Sequence, residues 1–186
     1  NRGSVDAPLT LLPTIWFRNT WSWGYEQYTA RPMLNGIANT QIEVNHKQLG
    51  KYKLYCEEAD ALLFCDNETN TERLYGRPNS TPYPKDGINN YIVSGKKKSF
   101  VNPNQIGTKA AAHYVRTVPA GGSVTIRLRF SDQTTLHKPF QEFDSIWQRR
   151  LDEANAFYAD LQKRVSNPEL LAIQRQAYAG MLWNKQ

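Results

Sequence analysis

The chain has 186 residues, of which 40% are hydrophobic and 22% charged, the proportions of an ordinary soluble protein long enough to bury a core. No apolar run approaches the ~20 residues of a membrane helix, so no membrane partner is expected. Lys and Arg outnumber Asp and Glu by 23 to 17, yet the surplus is dispersed, and no helix-turn-helix, RNP or zinc-knuckle pattern accompanies it, so nucleic acid is not an expected partner.

In chain order, the first distinctive stretch is Thr14 to Trp23, aromatic-rich and read as extended. Trp21 and Trp23 stand two apart, so in a strand they share a face and form a platform for a sugar ring. Arg18, Trp16, Trp21 and Trp23 combine a planar cation with indoles, a set suited to stacking on sugars or to locking a core through cation-π contact; core or domain-interface packing is the competing use of the same residues. Gln41 to Val44 is a short strand. Lys51 to Glu57 and Ala61 to Asp66 read as a hairpin turning at Glu58-Ala59-Asp60, with Cys56 and Cys65 able to face each other across it. Reduced thiols are nonetheless expected, because the chain shows neither a dense cysteine framework nor a signal peptide, and a cytoplasmic location follows. Two cysteines without His at the customary spacing make no zinc site, and no cofactor motif is present. The sequons at Asn67 and Asn79 matter only in a secreted chain.

Ile88 to Ser94 reads as a further strand, followed by the basic run Lys96 to Lys98, an ordinary solvated tip. Ala111 to Val118 and Ser123 to Ser131 read as a hairpin. In its second arm Val124, Ile126, Leu128 and Phe130 alternate with polar residues, and Pro119-Ala120-Gly121-Gly122 supplies the turn. Many short strands separated by Gly, Pro and Asn predict an antiparallel β-sandwich. From Phe140 the period changes to three and four: Phe143, Ile146, Trp147, Leu151 and Ala154 define an amphipathic helix running to Val165. Ser166 or Asn167 can cap a second helix, with Pro168 at its first position, Glu169 in its first turn and no stop signal before Gln186. The class is thus mainly β with a C-terminal α portion.

Candidate chemistry concentrates between the strands. Inverting glycoside hydrolysis requires two carboxyl groups roughly 6.5–9.5 Å apart, one as acid and one to activate water. Asp66 and Glu68 stand close in sequence, as do Glu57, Glu58 and Asp60. The second group sits at a turn where acids are solvated, and Asn67, Thr69 and Asn70 mark the first as a polar loop of side-chain to backbone hydrogen bonds. Lys85, Asp86, Asn89 and Asn90 place ammonium, carboxylate and amide groups on one loop, able to bond sugar hydroxyls; a tight Asp86-Gly87 turn with Asn capping is the plainer reading. His113, in a strong strand beside Tyr114, reads as a hydrogen-bonded structural residue, and His46 and His137 show no nucleophile partner.

Leu12-Pro-Thr-Ile-Trp-Phe-Arg-Asn-Thr-Trp-Ser-Trp-Gly24, Asp66-Asn-Glu-Thr-Asn70, Lys85-Asp-Gly-Ile-Asn-Asn-Tyr91, Gly107-Thr-Lys-Ala-Ala-Ala-His-Tyr114 and the run from Gln174 to Gln186 resemble, in collinear order, segments of bacterial glycoside hydrolase family 63 proteins. The resemblance spans nearly the whole chain. It implies an α-glucosidase-like parent in which an N-terminal β-sandwich is joined by linker helices to an (α/α)6 barrel. On that map residues 1–135 are the later part of the sandwich, 136–167 the linker helix and 168–186 the truncated start of the barrel. The chain is then an internal slice whose acid and base lie beyond Gln186, and no catalytic residue carries over. Its expected partners are the catalytic barrel and an oligosaccharide. Two alternatives remain: a self-contained carbohydrate-binding sandwich using Trp21 and Trp23, and a structural half-domain that self-associates through exposed sheet edges.

Overall fold

The computed structural model describes residues 1–26, 29–95 and 98–184, so Lys96 and Lys97 of the basic run lie outside the described residues. The chain divides into two compact units, Asn1–Phe140 and Gln141–Gln186.

Among the described residues the first unit carries nine strands: β1 (Ala7–Leu11), β2 (Thr14–Trp16), β3 (Met33–Ile37), β4 (Gln41–His46), β5 (Gly50–Cys56), β6 (Ala61–Cys65), β7 (Ile106–Gly107), β8 (Lys109–Val118) and β9 (Leu128–Ser131). One antiparallel sheet has the order β7-β3-β4-β5-β9. In the other, β8 is the spine: β6 lies along one side, and β1 and β2 follow one another along the opposite side, Leu11 facing Tyr114 and Thr14 facing Ala111. The two sheets share a core built from Leu34, Ile42, Val44, Leu54 and Cys56 on one side and Leu62, Phe64, Ala110, Ala112 and Tyr114 on the other. The sandwich expectation holds at this level.

The two sheets differ in how their strands are written. In β4, buried Ile42 and Val44 alternate with Gln41, Glu43 and Asn45, the signature of a sheet with a single dry face. In β6 the run Ala61-Leu-Leu-Phe-Cys65 is apolar without interruption, and Ala110, Ala111 and Ala112 repeat this in β8. Continuous apolar strands bury both faces. The outer face is covered by the connection between β6 and β7, which contains α1 (Thr71–Tyr75), α2 (Gly87–Val93) and a 3-10 turn at Lys98–Phe100. Ile88 of α2 and Val101 pack there against Leu63, Cys65 and Ala111 in a second core.

Four local expectations are corrected. Ile88 to Ser94 is helical over Gly87–Val93, because Ile88, Tyr91 and Ile92 recur at helical spacing and turn one face onto the second core. The segment Thr14 to Trp23 is extended only through Trp16, and Trp21–Trp23 forms a 3-10 turn ending at Gly24. The arms at 51–57 and 61–66 are no hairpin: β5 pairs with β4 and β9, whereas β6 pairs with β8. Cys56 and Cys65 accordingly sit in opposite sheets and in separate cores, buried and free. Nor does Ser123 to Ser131 return along β8. The turn at Pro119 forms, with the Gly122 N–H donating to the Pro119 carbonyl at 2.9 Å, but both edges of β8 are already occupied, and the chain crosses to pair Leu128–Ser131 with β5.

The second unit is a helical hairpin of α3 (Phe143–Leu161) and α4 (Pro168–Asn184). Asn167 caps α4, its Oδ1 accepting from Glu169 N at 2.9 Å and Leu170 N at 3.3 Å, and Pro168 occupies the first helical position, where no N–H is required. Two contacts tie the helices: Gln162 Nε2 donates to the Leu171 carbonyl at 2.7 Å, and the Arg175 guanidinium lies 4.7 Å over the Tyr158 ring while reaching Asn155. Among the described residues no helix is long and apolar enough to cross a membrane.

Candidate functional site

The outward side of the 66–93 connection gathers most of the polar residues singled out from sequence. It leaves the sheet at the buried end of β6, where Asp66 N donates to the Tyr83 carbonyl at 2.7 Å and Lys85 N to the Glu68 carbonyl at 2.9 Å. These bonds lay residues 66–69 beside residues 81–85. Asn70 Oδ1 then caps α1 by accepting from Arg73 N at 3.0 Å. Gly76 ends α1 at φ 64, a left-handed conformation that glycine adopts without a Cβ clash, and its N–H returns to the Glu72 and Thr71 carbonyls. The start of α2 is held close to Phe100, since a Cβ on Gly87 would lie 2.1 Å from the Phe100 carbonyl oxygen.

Three carboxylates fasten this connection, each to a different neighbour. Asp66 accepts from Arg31 at 2.7 Å and from the buried Thr81 hydroxyl at 2.6 Å. Glu68 accepts from Trp21 Nε1 at 2.5 Å, Ser22 Oγ at 2.7 Å and Asn19 Nδ2 at 3.1 Å. Asp86 accepts from Asn70 Nδ2 at 3.1 Å at both oxygens and from Arg73 at 3.1 Å. Burial opposes the charged form of Asp86, but the hydrogen bonds from Asn70, Arg73 and Asn90 outweigh it and hold the carboxyl below the usual range. All three acids therefore serve as anchors that order the loop, each accepting two or more hydrogen bonds from protein donors.

The predicted residues divide between this cluster and its rim. Asp86 and Asn90 are joined at the base of α2, with Asn89 exposed beside them. Lys85 is exposed and reaches Thr69 Oγ1 at 3.4 Å, while its carbonyl takes a hydrogen bond from Lys109 Nζ at 2.9 Å. Trp21 is bound edge-on to Glu68 and thereby joins the N-terminal aromatic segment to the connection. Trp23 is 44% exposed, with the Arg18 guanidinium 5.0 Å from its ring and Tyr25 edge-on at 6.5 Å. The Arg18 guanidinium lies over the Trp23 ring, and Trp21 and Trp23 form no strand platform, because a 3-10 turn does not place alternate residues on one face. His113 is buried, with the Tyr91 ring edge-on at 6.1 Å. Of the turn acids, Asp60 is more than solvated: its carboxylate accepts from Val115 N at 2.6 Å and Arg116 at 2.7 Å.

Sequence reasoning gave Asn19, Arg31 and Arg73 no site role and read Asn79 only as a sequon, although all four support the cluster. A signal existed for two of them. Asn70-Thr-Glu-Arg73 followed by Gly76 and Pro78 is a cap, a short helix and a stop, which places Arg73 on the first turn beside its cap. Asn79 closes the same turn, its Oδ1 accepting from Glu72 N at 3.1 Å and Thr71 Oγ1 at 3.3 Å. Beside these residues lies a cleft of about 450 Å³, lined by the polar Asn70, Glu72, Arg73, Asn79 and Asn90 and by the apolar Pro82, Pro84 and Phe100. Among the described residues no three His, Cys, Asp or Glu side chains stand close enough to hold a metal ion.

No family model matches the chain, and no solved structure matches it. It is similar to the uncharacterized protein YMR196W of Saccharomyces cerevisiae, with 33% identity over 221 aligned positions that take in all of this chain and 20% of the yeast protein. The chain thus spans about a fifth of the length of the curated relative it matches.

Proposed function

We propose that this chain is the non-catalytic supporting part of an inverting α-glucosidase-type glycoside hydrolase, and that the connection bearing Lys85 to Asn90 edges the substrate pocket. The reading joins the resemblance to glycoside hydrolase family 63 with one structural observation: a polar, hydrogen-bonded connection mounted on a sheet buried on both faces. Such a mount gives a substrate-edge loop what it needs, which is side chains held in place before the ligand arrives. Asp66, Glu68 and Asp86 are committed to Arg31, Trp21, Asn70 and their neighbours, and this supports a chemistry located elsewhere in the parent, in the (α/α)6 barrel the resemblance implies.

The test uses the longer relative and this chain side by side. The purified full-length yeast protein is expected to release glucose from an α-glucoside with inversion, read by proton NMR as β-glucose appearing first. The 186-residue chain alone is expected to release none. Activity in the isolated chain that falls on Asp66→Asn or Glu68→Gln substitution would overturn the non-catalytic assignment, and an inactive full-length relative across α-glucosides would overturn the enzyme class.

A further inference from the structure

We infer that the cleft between α1 and α2 is a binding subsite for a neutral sugar, with Arg73, Asn79 and Asn90 as its recognition groups. The choice of ligand class rests on the carbohydrate reading above; the location does not.

The volume of about 450 Å³ lies within the range of roughly 300–1,000 Å³ for small-ligand sites. Its lining combines two chemistries, amides, a carboxylate and a guanidinium together with prolines and a phenyl ring. A pyranose has the same division, with hydroxyls around its edge and C–H groups on its faces, so the cleft can satisfy both at once. Charge narrows the class further. Among the described residues the ionic side chains lining the cleft are Glu72 and Arg73, which cancel, and Arg73 is further neutralised by Asp86 at 3.1 Å. A phosphate or carboxylate ligand would meet Glu72 and a guanidinium already paired; a polyol meets no such penalty.

The polar side is also prearranged. Asn70 is spent, its amide bonded to Asp86 and its oxygen to Arg73 N, so it forms the floor. Asp86 engages one of the guanidinium N–H groups of Arg73, which offers five in all, and more than half of the Arg73 side chain, 64%, is solvent-accessible. Asn79 is pinned against the first turn of α1, its Oδ1 taken up by Glu72 N and Thr71 Oγ1 and one amide N–H by the Glu72 carboxylate at 3.4 Å, so its second N–H is what it offers, and Asn90 is oriented by its bond to Asp86. The opposite wall is fixed by the contact of Gly87 with the Phe100 carbonyl, which leaves no room for a side chain between α2 and Phe100. Groups held this way lose little conformational freedom on binding, the main cost for a small polar ligand.

The experiment is a titration of the 186-residue chain with maltose, followed by nitrogen-15 amide shifts, with inorganic phosphate and cellobiose as parallel probes. Saturable shifts confined to residues 70–90 and 99–100 are expected with maltose and not with phosphate. Arg73→Ala should weaken maltose binding about tenfold or more, the loss of one hydrogen bond to a charged donor. Because Arg73 also anchors Asp86, Ser99→Trp provides a second variant: Ser99 is an exposed lining residue outside the anchor network, and the indole should fill the cleft and abolish binding with the remaining spectrum unchanged. No maltose shifts, shifts centred on the Trp21 and Trp23 indoles, or tighter binding of phosphate would each overturn the assignment. Cellobiose binding as tight as maltose keeps the neutral-sugar subsite and removes any selectivity for the α-linkage. A cleft that binds nothing while the full-length relative hydrolyses α-glucosides sinks this inference alone.

Discussion

The two sheets of the sandwich share one core but face the world differently. In the five-stranded sheet, Ile42 and Val44 point inward while Gln41 and Glu43 meet water, and nothing is required on that outer surface. In the other sheet, Leu62 and Phe64 point inward and Leu63 and Cys65 outward, and all four are buried. An apolar outer face must be covered, and the 66–93 connection covers it. The cover is amphipathic in its own way: Ile88 and Val101 pack downward, while Asp66, Glu68, Asp86 and their partners knit the polar side. The comparison teaches that the polar cluster is carried by a structural element, so its geometry follows from packing beneath it.

The largest test removes what both regions share. Phe64 is 0% exposed and sits in the core between the sheets, so Phe64→Ala should cost about 3–5 kcal/mol and lower the urea midpoint of the whole first unit. A loss under 1 kcal/mol would mean the core collapses around the cavity and does not couple the sheets as described. The next test separates the regions. Gly87→Ala forces a Cβ to within 2.1 Å of the Phe100 oxygen, which requires α2 or the Phe100 segment to shift, at about 1–3 kcal/mol. Hydrogen exchange should accelerate at α2 and in residues 66–70 while the amides of Ile42 and Val44 keep their protection. Uniform loss of protection would show that cover and sandwich unfold as one.

Much of this contrast was legible in the sequence. The contrast is written as alternation in β4 against an unbroken apolar run in β6, and Pro168 at the first helical position marks the start of α4, the structure choosing Asn167 over Ser166 as its cap. Strand pairing was not legible, because alternation shows which face is buried but not which edge is free. Thus the 61–66 arm reads as a partner for 51–57 when its real partner, β8, lies 44 or more residues onward. Ile88 was misread for another reason: a seven-residue segment of mixed apolar and polar residues fits either period, and Tyr91 and Ile92 decide it only once their three and four residue steps are counted. The site was half legible. Asp86 and Asn90 announce themselves as polar residues on a connection, whereas Arg31 and Asn19 join the cluster from segments 35 and 49 residues away, at spacings no local pattern encodes.

The smallest expected effect is the most specific one. Two carboxyls have lowered pKa values for different reasons: Asp60 through the Val115 N–H first and Arg116 beside it, and Asp86 against its own burial through Asn70, Arg73 and Asn90. In both the folded value lies below the unfolded one, so each contributes stability that is fully present above about pH 3.9, the ordinary Asp value, and is lost as pH falls through its folded value. Acid should therefore loosen two places at once, the Val115 end of β8 and the base of α2, while the centre of the inner core persists. Asp86→Asn separates them. It keeps an acceptor for Asn70 and Arg73 but has no charge to lose, so amides of α2 should stop responding between neutral pH and the acid limit while Val115 still responds. An α2 response that survives the substitution would place the acid-labile group elsewhere, and would detach the ordering of the cleft from the carboxylate proposed to hold its floor.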